Sequence, residues 1–133
     1  MDSKELVKKA LEALEYSYSP YSHFCVGAAL ETKNGNVYLG TNIENAAFSA
    51  TVCAERVAIY NALINGEKEF SAIAVVGGSV KKIENFCNPC GVCRQVMSGF
   101  CGKDFKIITF NGKEIKENTL EELLPFGFGS EVL

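Results

Sequence analysis

The sequence predicts an α/β fold, a three-layer sandwich in which a single mixed five-stranded sheet is flanked by helices. Two observations predict it. Segments with helical periodicity alternate along the chain with short segments rich in β-branched residues, and two Asn-Gly dipeptides each separate a pair of such strands. At 133 residues the chain has the length of one ordinary domain, so we expect residues 1–133 to form a single domain.

The first part of the chain predicts a helix followed by a hairpin of two strands. Apolar residues recur at helical spacing over 6–18. The next two segments, over 25–33 and 36–41, flank the dipeptide Asn34-Gly35. Because this dipeptide readily supplies the two positive φ angles of a two-residue turn, we expect the two strands to pair antiparallel.

The middle of the chain predicts a helix, a buried strand and a further helix. Helical spacing over 53–65 ends at Gly66, which suits a left-handed stop. The run over 70–76 is nearly all apolar, as in a strand covered on both faces, and the helix before it implies a right-handed crossover. The third helix begins at Pro89 or Cys90, and Pro89 is expected at the first helical position.

The last part of the chain predicts a second hairpin and a short helix. Strands over 105–110 and 113–116 surround the dipeptide Asn111-Gly112. Thr119 with a glutamate three residues later is typical of a capping box, which starts the final helix. The five strands and four helices together complete the predicted sandwich.

Charge and hydropathy exclude two classes of partner. The chain has 13 basic and 16 acidic residues, a net charge of -3, so it lacks the cationic surface that holds a nucleic acid polymer. No apolar stretch reaches the 18 residues of a membrane span, and the first 15 residues are charged and periodic, unlike a signal peptide. We therefore expect a cytoplasmic protein without nucleic acid or membrane partners.

Cysteine spacing is the strongest chemical signal in the sequence. In a reducing compartment, six cysteines indicate metal binding or buried thiols rather than disulfides. Cys90 and Cys93 lie three positions apart at a helix start, so both sulfurs can reach one ion. Cys53 begins another helix, and helix starts that follow adjacent strands are expected to meet at one edge of the sheet. Helix N-termini also favour the thiolate that binds metal.

The motif Cys53-Ala54-Glu55 upstream of Pro-Cys-x-x-Cys is the cysteine version of the zinc deaminase pattern. It predicts one zinc ion held by Cys53, Cys90 and Cys93, with the fourth position left for a water whose pKa the metal lowers. Glu55 is then the proton carrier. Because residues two apart on a helix point about 200° away from each other, the metal must lie off the helix end.

A Cys-x-x-Cys motif alone also occurs in redox proteins and in structural zinc knuckles. Cys87 could complete a closed four-sulfur site or an iron-sulfur cluster, although Pro89 indicates that the helix starts after Cys87. Cys25 and Cys101 are interpreted as small buried hydrophobic residues. His23 is interpreted as an ordinary hydrogen-bonded histidine and not as a ligand.

Two arginines are candidates for supporting the ligand sulfurs. Three thiolates would leave a divalent ion with a net charge near -1, which neighbouring cations can offset. Arg56 lies three positions after Cys53, and Arg94 lies four after Cys90. One or both are expected to donate to ligand sulfurs, and Arg56 is the better candidate.

The stretches PYSHFCVGAAL, GTNIENAAFSATVCAER, NPCGVCRQV and LLPFGFG together resemble the small homotetrameric cytidine deaminases, over essentially the whole chain. The resemblance implies hydrolytic deamination of cytidine and 2′-deoxycytidine to the uridines plus ammonia, in pyrimidine salvage. It implies one zinc per subunit on the three cysteines, and Glu55 as the proton shuttle between water, N3 and the leaving amino group.

The same resemblance assigns substrate contacts. Asn42 and Glu44 are expected to bind a ribose hydroxyl, because a hydroxyl both donates and accepts and so suits an amide paired with a carboxylate. Phe24 is expected beside the base, and the backbone of Ala54 at the base edge. From the residue alone, without the resemblance, Phe24 would be interpreted as a core residue.

Two further aromatics belong to this implied site. Phe128 resembles the aromatic that a neighbouring subunit lends to the pyrimidine, so active sites would be shared within a homotetramer. Phe48 stands where relatives often have tyrosine, which removes a possible hydroxyl contact.

Three other functions are weighed. A deaminase of a modified cytosine nucleoside such as blasticidin is the nearest alternative. A non-catalytic zinc-stabilised module would require a fourth protein ligand and a dispensable Glu55. Editing of RNA or DNA conflicts with the acidic charge balance.

Overall fold

The structure is a computed structural model and describes residues 1–132. The four helices are α1 (Ser3–Leu14), α2 (Ala54–Ile64), α3 (Gly91–Phe100) and α4 (Leu120–Leu123). The five strands are β1 (Phe24–Thr32), β2 (Val37–Thr41), β3 (Phe70–Ser79), β4 (Lys106–Phe110) and β5 (Ile115–Thr119).

The five strands form one mixed sheet in the order β2-β1-β3-β4-β5. β3 and β4 are parallel, and the other neighbouring pairs are antiparallel. α1 covers one face of the sheet through a cluster that includes Leu6, Ala10 and Ile108. α2, α3 and α4 cover the other face through a cluster that includes Ile59, Met97 and Leu120. The predicted three-layer sandwich is therefore confirmed.

Two glycines allow the helices to lie directly on the sheet. A Cβ at Gly27 in β1 would be 2.1 Å from the carbonyl oxygen of Ala10 in α1. A Cβ at Gly40 in β2 would be 2.3 Å from the carbonyl oxygen of Ala54 in α2. Real atoms cannot approach so closely, so each glycine sets the distance between one helix and its strand.

Both predicted hairpins form, but their turns differ from the prediction. The Thr32 amide donates to the Asn36 carbonyl, so the first loop has three residues, and Gly35 alone has a positive φ, of 85°. This is the glycine-bulge loop rather than the two-residue turn. In the second hairpin Asn111 still pairs with Glu114, and Gly112 (φ 97°) is the first residue of the turn.

Some element boundaries also differ. β5 begins at Ile115 rather than at residue 113, because Asn111 and Glu114 close the turn. α1 ends at Leu14, so Tyr18 lies outside the helix. There its amide donates to the Asn42 carbonyl and its carbonyl accepts from the Glu44 amide. Tyr18 instead forms an isolated bridge with Ile43, between Asn42 and Glu44.

Candidate active site and metal centre

The three predicted ligand sulfurs meet at one point. The Sγ atoms of Cys53, Cys90 and Cys93 all lie within 4.8 Å of one another, and the Cys53 and Cys90 sulfurs are 3.8 Å apart. Tetrahedral zinc with Zn–S bonds of about 2.3 Å separates its sulfur ligands by about 3.8 Å. The distance and the all-thiol donor set therefore fit zinc, with three of four ligand positions supplied by this chain.

The fold explains why the sulfurs meet. Cys53 is the N-cap of α2 and Cys90 is the N-cap of α3, so both have extended backbone just outside their helices. The metal site thus lies off the helix ends, as the helical geometry predicted. Pro89 precedes the cap, so its expected place at the first helical position is wrong. The Cys90 sulfur instead occupies the cap and accepts from the Cys93 amide at 3.4 Å.

The strand relationship behind the site also differs from the prediction. β2 and β3, which precede α2 and α3, are not adjacent, because β1 lies between them. Each is antiparallel to β1, so they are parallel to each other and end at the same edge of the sheet. The expectation of a shared edge is therefore met without adjacency.

The thiols of the sulfur cluster differ in pKa. Hydrogen bonds from Cys93 and Arg56 lower the pKa of Cys53 to about 5. The bond to Cys53, together with burial, raises the pKa of Cys93 well above its usual range. Without a cation, one sulfur is therefore ionised at the expense of another. A divalent ion removes this conflict, because it favours the thiolate at every ligand.

Arg56 contacts the sulfur cluster. Its Nη2 donates to the Cys53 sulfur at 3.6 Å. Its Nε is buried and has no hydrogen-bond partner among the described residues. The guanidinium is therefore held against the sulfurs, where its positive charge offsets thiolate charge.

Arg94 does not contact a ligand sulfur. Its Nε donates to the Pro89 carbonyl and its Nη1 to the Leu123 carbonyl, each at 2.7 Å. The expectation that Arg94 donates to a sulfur is therefore wrong. The side chain instead joins the peptide before Cys90 to the end of α4.

Glu55 is buried beside the sulfur cluster, with 4% of its surface exposed. Burial, and secondarily the nearby Cys53 sulfur, raises its pKa to about 7. A carboxyl group with a pKa near neutrality changes its protonation state easily, which is the requirement for general acid and base catalysis. Glu55 follows Cys53 by two residues, in the first turn of α2.

The other thiols and the histidine lie outside the metal cluster. Cys87 is not among the clustered sulfurs of the described residues, and burial raises its pKa to about 12. Cys25 is buried as expected, whereas Cys101 is only half-buried. His23 is exposed and has a left-handed backbone with φ 58°. The four-sulfur and iron-sulfur alternatives find no support in this geometry.

Asn42 is buried just after β2, and its hydrogen bonds fix its orientation. Its Oδ1 accepts from the Val26 amide at 3.0 Å and from the Ser17 hydroxyl at 2.5 Å. Its Nδ2 donates to the Phe24 carbonyl at 2.8 Å. Since an amide N–H can only donate and a carbonyl can only accept, the two side-chain atoms cannot be exchanged. One N–H of Nδ2 is left for another partner.

Glu44 is half-buried and faces the segment that precedes β1. Its Oε1 accepts from the amides of Tyr21 at 3.0 Å and Ser22 at 3.1 Å, and its Oε2 accepts from the Ser22 hydroxyl. The hydroxyl bond, followed by the backbone bonds, lowers the pKa of Glu44. The two carboxylate oxygens offer about four acceptor positions. Within residues 1–132, one position on Oε2 therefore has no donor.

The predicted aromatic contacts are less enclosed. Phe24 begins β1 and lines a small cavity with Gly77 and Cys87. Phe48 is 78% exposed, and its ring lies edge-on to that of Tyr21 at 6.3 Å. Tyr21, Phe48 and Glu44 line a shared cavity of about 400 Å³.

Ala54 and Phe128 lie in contrasting surroundings. Ala54 is fully buried between Cys53 and Glu55. Phe128 is 54% exposed, and its carbonyl accepts from Gln95 of α3 at 2.9 Å. Within one chain the tail is therefore anchored along α3, beyond the helix start that bears the cysteines.

Most of the chain matches one known protein family. The family described as "Cytidine and deoxycytidylate deaminase zinc-binding region" matches residues 1–109. The chain belongs to this deaminase family. The predicted family, the zinc ion and the zinc-dependent deaminase class are thus confirmed.

Individual relatives of this deaminase extend the likeness over the whole chain. A cytidine deaminase from Halalkalibacterium halodurans is 46% identical over 98% of this chain and 97% of its own length. A blasticidin-S deaminase from Bacillus cereus is 38% identical over 93% of this chain and 90% of its own. The crystal structure of a cytidine deaminase from Burkholderia pseudomallei superposes with a TM-score of 0.89 at 40% identity, covering 96% and 100% of the two chains.

Two features of this deaminase were not found from the sequence. Ser22 touches Glu44, and Arg94 bonds to two distant carbonyls. The signals for Ser22 are its place in the stretch PYSHFCVGAAL and its position two residues before Phe24.

Over residues 1–132, no helix is long and apolar enough to cross a membrane.

Proposed function

We propose that this chain hydrolyses cytidine and 2′-deoxycytidine to uridine and 2′-deoxyuridine, with release of ammonia. The observation that carries the proposal is the buried Glu55 carboxyl, with a pKa near neutrality, beside a three-sulfur zinc site. Zinc, when bound, supplies a water molecule of lowered pKa next to the substrate. The family membership supports the same reaction.

Glu55 carries the protons in this reaction. As a carboxylate it accepts a proton from the water whose oxygen bonds to C4, and as a carboxylic acid it delivers that proton to N3 of the cytosine ring. It then accepts the proton of the new C4 hydroxyl and delivers it to the amino group, which leaves as ammonia when the C4–N bond breaks. A pKa of about 7 makes both forms accessible at neutral pH, so one side chain serves as base and then as acid.

Asn42 and Glu44 together complement one sugar hydroxyl. The spare N–H of Asn42 donates to the hydroxyl oxygen, and the free acceptor position on Glu44 Oε2 receives the hydroxyl proton. Phe24 lies beside the base and the Ala54 backbone at its edge. A nucleoside, rather than a free base, is the substrate that uses all of these contacts.

We further propose a cytoplasmic homotetramer with shared active sites and a role in pyrimidine salvage. Phe126 and Phe128 are both exposed in a glycine-rich tail, and an exposed aromatic pair of this kind favours coverage by another subunit. Phe128 is the aromatic we assign to the neighbour's pyrimidine. Phe48, exposed and edge-on to the ring of Tyr21, contributes at the same substrate entrance.

A second candidate substrate is blasticidin-S, because one relative that covers 93% of this chain bears that name. The paired Asn42 and Glu44 favour the ribose of an ordinary nucleoside. Direct competition separates the two. We expect cytidine turnover to exceed blasticidin-S turnover when both are present at equal concentration, and the reverse would assign the chain to the antibiotic.

The deciding experiment measures zinc content and cytidine deamination on the same purified sample, with Glu55→Gln beside the wild-type protein. We expect one zinc per chain in both proteins and a fall in kcat of about 10²- to 10⁴-fold in the variant. A wild-type protein that is zinc-loaded but inactive would favour the non-catalytic zinc module. A fully active Glu55→Gln protein would show that Glu55 does not carry the protons.

A further inference from the structure

The hydrogen bonds around Ser22 join the two parts of the candidate substrate site. The Ser22 hydroxyl donates to Glu44 Oε2, and the Ser22 amide donates to Glu44 Oε1 at 3.1 Å. The same hydroxyl oxygen accepts from the Phe24 amide at 3.0 Å. One hydroxyl group therefore contacts both the carboxylate assigned to the sugar and the backbone of the aromatic assigned to the base.

The partners of the Ser22 hydroxyl fix the direction in which its hydrogen points. A serine hydroxyl has one hydrogen, and Glu44, which is ionised, can only accept. The hydrogen must therefore point at Glu44, and the lone pairs are left for the Phe24 amide. The direction of the bond is fixed by its partners, so it holds Oε2 with one acceptor position pointing away from Ser22.

We propose that Ser22 is a positioning residue for substrate binding, which orients Glu44 toward the sugar hydroxyl and fixes it relative to Phe24. The inference rests on the proposed function, because it requires Glu44 to contact the nucleoside. Its chemistry is a charge-assisted hydrogen bond, which is stronger and more directional than a neutral bond. Ser22 and Glu44 line the same cavity of about 400 Å³.

Backbone hydrogen bonds hold the segment around Ser22 independently of the Ser22 hydroxyl. The segment from residue 21 to residue 24 contains His23 in a left-handed conformation, with φ 58°. The His23 amide donates to the Ser19 carbonyl at 3.0 Å and its carbonyl accepts from Val80 at 2.8 Å. These backbone bonds keep the segment in place when a side chain is removed. Loss of the Ser22 hydroxyl should therefore free the Glu44 carboxylate rather than unfold the loop.

The test compares Ser22→Ala with Ser22→Thr, which keeps a hydroxyl, and with Ser49→Ala. Ser49 lies in the exposed turn Phe48–Ala50, and its hydroxyl makes no hydrogen bond within residues 1–132. We expect Ser22→Ala to raise KM for cytidine and the inhibition constant of uridine by about tenfold, the effect of losing a bond to a charged group. Its kcat, zinc content and Tm should stay near those of Ser49→Ala, and Ser22→Thr should recover most of the loss.

A substrate series tests the route through Glu44. Nucleosides that lack either the 2′- or the 3′-hydroxyl are compared in both proteins. On the nucleoside that lacks the hydroxyl bound by Glu44, Ser22→Ala and wild type should bind equally. An equal loss on every nucleoside, an unchanged KM on cytidine, or no recovery in Ser22→Thr would overturn the inference.

The failure of this inference can be told from failure of the proposed function. If the wild-type protein deaminates cytidine and Ser22→Ala binds uridine normally, only the role of Ser22 falls. If the wild-type protein does not deaminate cytidine, the proposed function falls as well. Should Ser22→Ala not fold, Ser22→Cys takes its place, because a thiol is a weaker donor at the same position. Its KM for cytidine should be higher than that of wild type and Ser22→Thr, and less than tenfold above that of wild type.

Discussion

At the scale of single residues, Arg56 is a charged side chain in contact with a predicted ligand sulfur. It donates to the Cys53 sulfur, and its Nε is buried without a partner in the described chain. A guanidinium held in this way lowers the negative charge of the thiolates, and its loss is typically felt as weaker metal binding. This makes metal affinity, rather than activity alone, the quantity to measure.

We predict that Arg56→Gln weakens zinc binding by about 10- to 100-fold, because the sulfur loses its charged donor. Competition with a chromogenic chelator measures the change. Lys9→Gln is the matched control, since this change also removes one positive charge. Within residues 1–132 Lys9 pairs only with exposed Glu12 of α1, on the other face of the sheet. Equal zinc affinity in both variants would remove Arg56 from the metal site.

At the scale of elements, Glu67 ties the first hairpin to the segment between α2 and β3. Its carboxylate accepts from Asn34 at 3.0 Å, Asn36 at 2.7 Å and the Tyr38 hydroxyl at 3.2 Å. These bonds, that of Asn36 first, lower the pKa of Glu67 below its usual 4.5. A carboxylate with a lowered folded pKa stabilises the fold above the unfolded pKa, and this stability is lost as the pH falls through the folded value.

We predict that Glu67→Gln lowers Tm at pH 7 and that the gap from wild type narrows below about pH 4.5, where protonation makes the wild-type side chain neutral too. Thermal denaturation across pH 3 to 7 measures it. Glu69→Gln changes an exposed glutamate two residues away and should leave Tm almost unchanged throughout. A Tm gap for Glu67→Gln that does not depend on pH would contradict the ionic role.

The two glycine contacts separate fold stability from metal binding. Gly40→Ala and Gly27→Ala each place a Cβ within 2.3 Å of helix backbone, and overpacking of this kind costs about 1–3 kcal/mol. We predict a similar loss in chemical denaturation for both. Only Gly40→Ala should also weaken zinc binding, because it displaces Ala54 next to Cys53, whereas Gly27 contacts α1. Equal zinc affinity in the two variants would show that α2 shifts without moving its cap.

The sequence predicted helices and strands well where one hydrophobic periodicity dominates a segment. It predicted turns and contacts poorly where residues distant in the sequence determine the conformation. The buried run in β3 and the capping box at Thr119 depend on local composition, and both formed. The three-residue loop at Gly35 depends on strand register, which local preference does not specify. The partners of Arg94 and Ser22 are set by tertiary packing, so the spacing of residues could not identify them.

At the scale of the whole molecule, the tail that carries Phe128 is anchored on α3 while its ring stays half exposed. If the Phe128 ring completes the active site of a neighbouring subunit, a subunit without this ring can still deaminate its substrate when its neighbour supplies the ring. Closed symmetric oligomers make such exchange measurable, because every subunit both lends and receives. The tail is therefore best tested with mixed subunits.

We predict that Glu55→Gln and Phe128→Ala subunits, refolded together, deaminate cytidine faster than the sum of the two separate samples. A mixed site then combines Glu55 of one subunit with Phe128 of another. The control replaces the first partner with a Glu55→Gln, Phe128→Ala double variant, which can lend neither group. Absence of any gain over the control would mean that each chain uses its own Phe128, and a fully active monomer would contradict sharing altogether.

The separation of Cys53 from Cys90 by 37 residues, with all of β3 between them, has a consequence for synthesis on the ribosome. The final thiol leaves the exit tunnel long after the first, and α3 is held in place by packing of Met97 in the cluster that contains Ile107 of β4. A nascent chain can therefore gather all three sulfurs only when translation is nearly finished. Binding of zinc is therefore a late step in the folding of this polypeptide and not the step that starts it.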